Sequence, residues 1–145
     1  MRDNHTNMTV AVAIGSATLS ADNTPAAVDR LGYEAAELVL AIGAGGITFS
    51  GTNKIEFVLT HSDDDSTYSA VTDADVLGVS SISSGIIKAL TAAHASAAAY
   101  RFGYRGNKRY LKLLADFSGT HGTGTPISAT WALGRPMIGS TANQA

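Results

Sequence analysis

The sequence predicts an all-β domain, an antiparallel sandwich or barrel of eight or nine short strands. Three observations carry this. Apolar and polar residues alternate with period two in several segments, the mark of strands with one buried face. Gly-, Ser- and Asp-rich turns separate those segments. No segment keeps a helical period long enough for a stable helix. At 145 residues the chain reads as a single domain, long enough to bury an ordinary core.

In order along the chain, residues 1–8 are polar and aperiodic, a flexible N-terminal arm. The sandwich domain spans 9–137. Its first strand is Thr9–Ile14, with Val10, Val12 and Ile14 on one face and Thr9, Ala11 and Ala13 on the other. Gly15-Ser16 breaks it, and Ala17–Leu19 is a short return strand. Ser20 to Pro25 is loop. Tyr33–Ile42 admits two readings. Glu34, Glu37 and the alanines suit a helix. The run Leu38-Val39-Leu40-Ala41-Ile42, ending at Gly43, suits a buried strand, and the strand is preferred because the run is short for a helix.

Ile47–Ser50 is a candidate short strand. Lys54–His61 is a clear one, with Ile55, Phe57 and Leu59 alternating against Glu56, Val58 and Thr60. Ser62–Thr67 is an acidic turn, Tyr68–Val71 is extended, and Asp73–Gly78 is loop or a single turn. Gly85–Leu90 is a strand. Thr91–Ala99 has helix propensity but is too short to stand alone, so one helical turn or a loop is expected. Ala99–Arg105 and Lys108–Ser118 are strands joined across Gly106-Asn107, a primed-turn hairpin signal. Gly119–Pro126 is a long flexible loop. Ile127–Leu133 is the last strand, with Ile127, Ala129, Trp131 and Leu133 facing one way and Pro126 and Pro136 at its ends, where a missing donor does least harm. Residues 138–145 are a small-residue C-terminal tail.

Composition bounds the function. Ala, Gly, Ser and Thr make up 68 of the 145 residues, and 15% are charged, below the roughly 25% usual for a soluble domain. Such a surface costs little to desolvate and suits contact with another protein. The absence of cysteine excludes disulfides, thiol chemistry and Cys-ligated metals. A net charge of −2 argues against nucleic acid as the partner. No apolar run approaches a membrane span, and Thr9–Ile14 is too short for a signal-peptide core, so the cytosol is the expected site of synthesis.

Half of the ten Lys and Arg residues gather between 101 and 112: Arg101, Arg105, Lys108, Arg109 and Lys112. With Gly106-Asn107 as the turn, Arg105 faces Lys108, Tyr104 faces Arg109, Phe102 faces Leu111, and Arg101 sits opposite Lys112. Like charges directly opposite are destabilising. They are tolerated on a solvated hairpin balanced by Asp116 and other acids, or against an acidic partner. The second case makes the five residues candidate partner contacts on an electropositive ridge.

Other constellations are weaker. Asp63-Asp64-Asp65 reads as an Asx turn. A calcium loop of the EF-hand kind would need Gly where Tyr68 stands and an acid where Ala74 stands. His5, His61, His94 and His121 are scattered, with His61 expected solvated at a turn and His121 in the flexible loop. The sequence lacks HExxH, GxSxG, a Walker motif, and GxGxxG after a strand. No enzyme activity, metal or cofactor is expected, and Trp131 reads as core.

The stretches KIEFVLTHSDDDSTYSAV, GIIKALTAAHASAAAYRFGYRGNKRYLKLLADFSGT and ISATWALGRP together resemble the head decoration, or cement, proteins of tailed bacteriophages. The resemblance covers about residues 28–137. Its most distinctive parts are Gly103-Tyr104-Arg105-Gly106-Asn107-Lys108-Arg109-Tyr110 and the closing Leu133-Gly134-Arg135-Pro136. It implies a jelly-roll-like antiparallel β-sandwich, found in host cytoplasm during assembly and then on the outer capsid surface of the virion. There it would bind the major capsid protein across subunit boundaries as a homo-oligomer, a dimer or a trimer. A carbohydrate- or receptor-binding β-sandwich on the virion or tail is the alternative, resting on the loops that carry Asp63–Asp65 and His121.

Overall fold

The computed structural model describes residues 3–139. Within them a single 3-10 turn, His5–Asn7, precedes ten strands: β1 (Met8–Leu19), β2 (Val28–Asp29), β3 (Tyr33–Ile42), β4 (Lys54–Ser62), β5 (Ser69–Ala70), β6 (Val76–Leu77), β7 (Ile86–Leu90), β8 (Ala98–Tyr104), β9 (Tyr110–Ser118) and β10 (Thr125–Pro136). All neighbours pair antiparallel. One sheet runs β1-β10-β3-β8-β6. The other runs β2-β9-β4-β5, with β7 also on β4.

With β5 and β6 set aside and the equally short β2 kept, each sheet holds four strands. The chain changes sheet at every connection between these eight except β4 to β7. That is the jelly-roll sandwich, in agreement with both the periodicity and the resemblance.

The core lies between the sheets. Leu38, Leu40 and Ile42 of β3 and Ile127, Ala129, Trp131 and Leu133 of β10 point in from one side. Ile55, Phe57 and Leu59 of β4 and Leu111, Leu113 and Ala115 of β9 meet them from the other. The period-two reading therefore holds for β4 and β10, and the strand reading of 33–42 is correct to its ends.

Several local expectations are corrected. β1 does not stop at Gly15-Ser16 but continues through Leu19 as one strand. Register irregularities between Val12 and Ile14 and between Ile14 and Ala17 absorb the break as bulges. The bulging buries Ala13 and Ile14 together and turns Val10 and Val12 outward, against their predicted inward face. Ile47–Ser50 is not a strand, although Phe49 is buried. Residues 91–97 form a loop, one of the two forms expected there. The connection after β9 is shorter than expected, and it buries His121, with Thr125 buried where β10 begins. The parts of the arm and tail at 1–2 and 140–145 lie outside the described residues.

The largest correction concerns the predicted hairpin. β8 pairs with β3 and β6 in one sheet, and β9 pairs with β4 and β2 in the other. Residues 105–109 are therefore an arch between sheets. Side-chain alternation cannot separate the two cases. An arch keeps Phe102, Tyr104, Leu111 and Leu113 inward just as a hairpin would, but the inward residues come from facing sheets.

Candidate functional site

The arch is held from beneath. The Tyr104 hydroxyl accepts the backbone N–H of Lys108 at 3.2 Å and lies 2.9 Å from Nδ1 of His61. Arg30 lies 5.2 Å over the Tyr104 ring and donates to the carbonyls of Gly106 and Lys108. Gly106 is required here, because a Cβ on it would collide with the Tyr104 phenol and with Asp75. His61, expected solvated, is buried at the inner end of β4. Burial pushes its imidazole below the usual histidine range, Lys108 adds to this, and Asp75 and Asp63 oppose it. Burial likewise raises the Tyr104 phenol. The distinctive motif is thus a built corner with a polar underside.

The five predicted contact residues are dispersed by this geometry. Arg101 stands on the outer face of β8, 83% exposed, 3.7 Å from Glu37. Lys112 stands on the outer face of β9, 3.8 Å from Asp65 and over the Tyr68 ring. They belong to opposite faces of the sandwich and never oppose each other. Between them, at the arch, Arg105 bonds the carbonyl of Ala74, Lys108 pairs with Asp63, and Arg109 grips Asp29 with two hydrogen bonds of 2.8 and 2.7 Å. An electropositive ridge does not form. Three of the five residues cluster at one corner, where Lys108 and Arg109 are each paired with an acid and Arg105 is bonded to backbone carbonyls.

The acidic turn behaves as the Asx reading requires. Asp64 accepts from the N–H groups of Ser66 and Thr67 and from the Ser62 hydroxyl, and these bonds hold its carboxyl far below the usual range. Among the described residues no three His, Asp or Glu side chains converge as metal ligands. The histidines fall in separate places. His94 donates Nδ1–H to the Gly43 carbonyl. His121, buried rather than on a flexible loop, sits between Phe49 and Phe117 and donates to the Ser118 carbonyl. Trp131 is 0% exposed and cannot serve as a sugar platform.

What the sequence reading missed is a surface. The sheet of β2, β9 and β4 carries paired ions on and around its outer face: Lys54 with Glu56, Lys112 with Asp65, Lys108 with Asp63. The outer face of the β1-β10-β3-β8 sheet is nearly bare of charge. One rung across it reads Val12, Thr130, Val39, Arg101, and the next reads Ala132, Glu37, Gly103, Leu77. Val12, Val39 and Leu77 are 63%, 43% and 52% exposed. The signal was present in β3, whose run 38–42 is apolar at both parities, as in strands covered on both faces.

No protein-family model and no curated protein matches the chain. Among solved structures it is similar to the SPBc2 prophage-derived protein YomS, with 11% identity over 88% of this chain and 92% of that one, at a TM-score of 0.46. It is also similar to part of the catalytic domain of a GH87 alpha-1,3-glucanase in complex with tetrasaccharides, with 10% identity over 100% of this chain and 31% of that one, at a TM-score of 0.32. At these values neither likeness assigns the chain a function.

Proposed function

We propose that the chain is a non-catalytic structural protein of a virion, a decoration protein that binds the outside of an assembled capsid shell. The observation that carries this reading is the division of the surface. One whole face of the sandwich carries few charges, Glu37 and Arg101 on its central rungs, and several charges elsewhere are paired with one another: Lys54 with Glu56, Lys108 with Asp63, Arg109 with Asp29 and Lys112 with Asp65. A molecule of this kind meets other proteins at low desolvation cost. The resemblance of the arch motif and the closing Leu133–Pro136 supplies the capsid as the surface met.

The mechanism is mass action. A protein that binds the assembled shell but not the free subunit stabilises the shell by RT ln(1 + [L]/Kd) per site, about 2.7 kcal/mol at a hundredfold excess over Kd. Summed over many sites, this resists the outward pressure of packaged DNA. The major capsid protein is the proposed partner, with Arg105, Lys108 and Arg109 at the exposed corner as proposed contacts.

The test is co-sedimentation of the purified chain with undecorated expanded heads of the virus that encodes it. Saturable pelleting at a fixed number of copies per capsid subunit is expected. A chain that stays in the supernatant at micromolar concentration overturns the reading.

A further inference from the structure

We infer that Arg135 docks an acidic loop of the shell protein, seated in a depression at the arch end of the outer β1-β10-β3-β8 face. The inference rests on the decoration reading and names, within it, the contact site and the partner's chemistry.

The backbone gives the first sign. Among the described residues three non-glycine residues take a positive φ: Asp65, Ser84 and Arg135. Asp65 and Ser84 stand in turns, and aspartate tolerates the left-handed region. Arg135 stands inside a strand, at φ 55° and directly before Pro136. Just upstream, at Gly119, Gly122 and Gly124, positive φ is met by glycine, the residue that adopts it without strain. An arginine kept in so sparsely populated a conformation points to a use for its side chain, since such residues cluster at ligand clamps.

The second sign is where that side chain goes. Ile127, Ala129, Trp131 and Leu133 of β10 point inward, and residue 135 continues their parity. Its side chain is nevertheless 78% exposed and lines an open depression of about 810 Å³, within the size range of ligand sites. The floor is made of Ala35, Gly103, Ala132 and Gly134, with Met8 and Leu77 as opposite walls. These walls belong to β1 and β6, four strand spacings or roughly 19 Å apart, room enough for a loop of a partner.

The third sign is the free chemistry. Arg109 grips Asp29 with two hydrogen bonds, and Arg105, which also lines the depression, bonds the Ala74 carbonyl. Arg135 donates no hydrogen bond among the described residues, and its Nε lies 3.4 Å from the Glu34 carboxylate in a loose pair. A guanidinium has five donors. Its terminal nitrogens can take a second carboxylate side-on, in the fork geometry that makes such pairs strong and specific, while Glu34 stays beside Nε. Glu37, the other carboxylate here, is drawn to Arg101 outside the depression. The occupant that fits is therefore an acidic side chain on a loop of the shell protein.

The test sets stability against binding. Arg135→Gly relieves the backbone and should raise Tm by about 2–4 °C, while weakening co-sedimentation with undecorated expanded heads at least tenfold. Arg135→Lys keeps the charge and the backbone burden but loses the planar fork. It should melt with the native protein and bind several-fold more weakly. Ala132→Leu raises the floor and should weaken binding about tenfold, whereas Thr60→Leu, on the outer face of the other sheet, should not. Near-UV circular dichroism checks that each variant is folded. An Arg135→Gly protein that melts no higher than the native one, or that pellets as well, overturns the inference. So does equal weakening by Thr60→Leu. Native protein that pellets beside variants of unchanged affinity sinks this inference alone. Native protein that does not pellet sinks the decoration reading, and this inference falls with it.

Discussion

Lys108 gives its backbone N–H to the phenol oxygen of Tyr104, 3.2 Å away, across the turn of the inter-sheet arch. Two residues expected to flank a hairpin thus clamp a change of sheet. Arg30, beneath them, satisfies two carbonyls that the arch would otherwise leave open, as buried backbone groups require.

Gly106→Ala tests the clamp. Its Cβ would strike the Tyr104 phenol and Asp75, and the phenol cannot retreat without giving up both hydrogen bonds. A loss of about 2–3 kcal/mol in urea unfolding is expected, in the upper part of the range for single substitutions. Gly15→Ala is the control. A Cβ there meets nothing within 4 Å, and removal of a strand glycine should stabilise by about 0.5 kcal/mol. Equal losses at both positions would count against the arch.

His61 sets a pH dependence. Burial lowers its folded-state pKa below the ordinary 6.5. As pH falls through that value, the unfolded chain takes up a proton that the folded chain resists, so stability drops. At higher pH both states are neutral and the group contributes no slope. Urea midpoints between pH 8 and 5 should decline for the native protein, with the decline shallower in His61→Phe. Parallel curves for the two proteins would place the pH sensitivity elsewhere.

Arg101→Glu and Lys112→Glu should act independently. The two residues lie on opposite outer faces, so their effects on unfolding should add to within about 0.5 kcal/mol. Strong coupling between the two would restore the single-ridge picture.

Thr125 is 0% exposed, and its hydroxyl has no hydrogen-bond partner. Thr125→Val replaces the hydroxyl with a methyl of similar size and removes an unsatisfied buried group, a change worth about 1 kcal/mol or more in favour of folding. Differential scanning calorimetry should show a higher Tm. A clear drop would mean that the hydroxyl is satisfied in solution.

The sandwich was legible because its signal is local. Lys54–His61 and Ile127–Leu133 alternate cleanly, and the alternation survives folding. The site was less legible because its geometry is not local. Nothing in Tyr104-Arg105-Gly106-Asn107-Lys108-Arg109 states whether the next strand returns beside the last or crosses to the facing sheet. The connection length and the glycine fit both, and only the distant Arg30, His61 and Asp75 decide. β1 misled for a different reason. Its bulges shift the inward face partway along, so a single alternation applied from Thr9 to Ile14 placed Val10 and Val12 on the wrong side.

The first and last long strands are neighbours, with Met8 opposite Gly134 and Leu19 opposite Thr125. The chain therefore enters and leaves the fold at the same end of the same seam. A pull applied to its two ends would load that ladder one rung at a time, opening it like a zip. A load spread across the broad face would meet all the strands together. A protein with this wiring is tough when pressed and weak when peeled, so its ends are the places where force should not be attached.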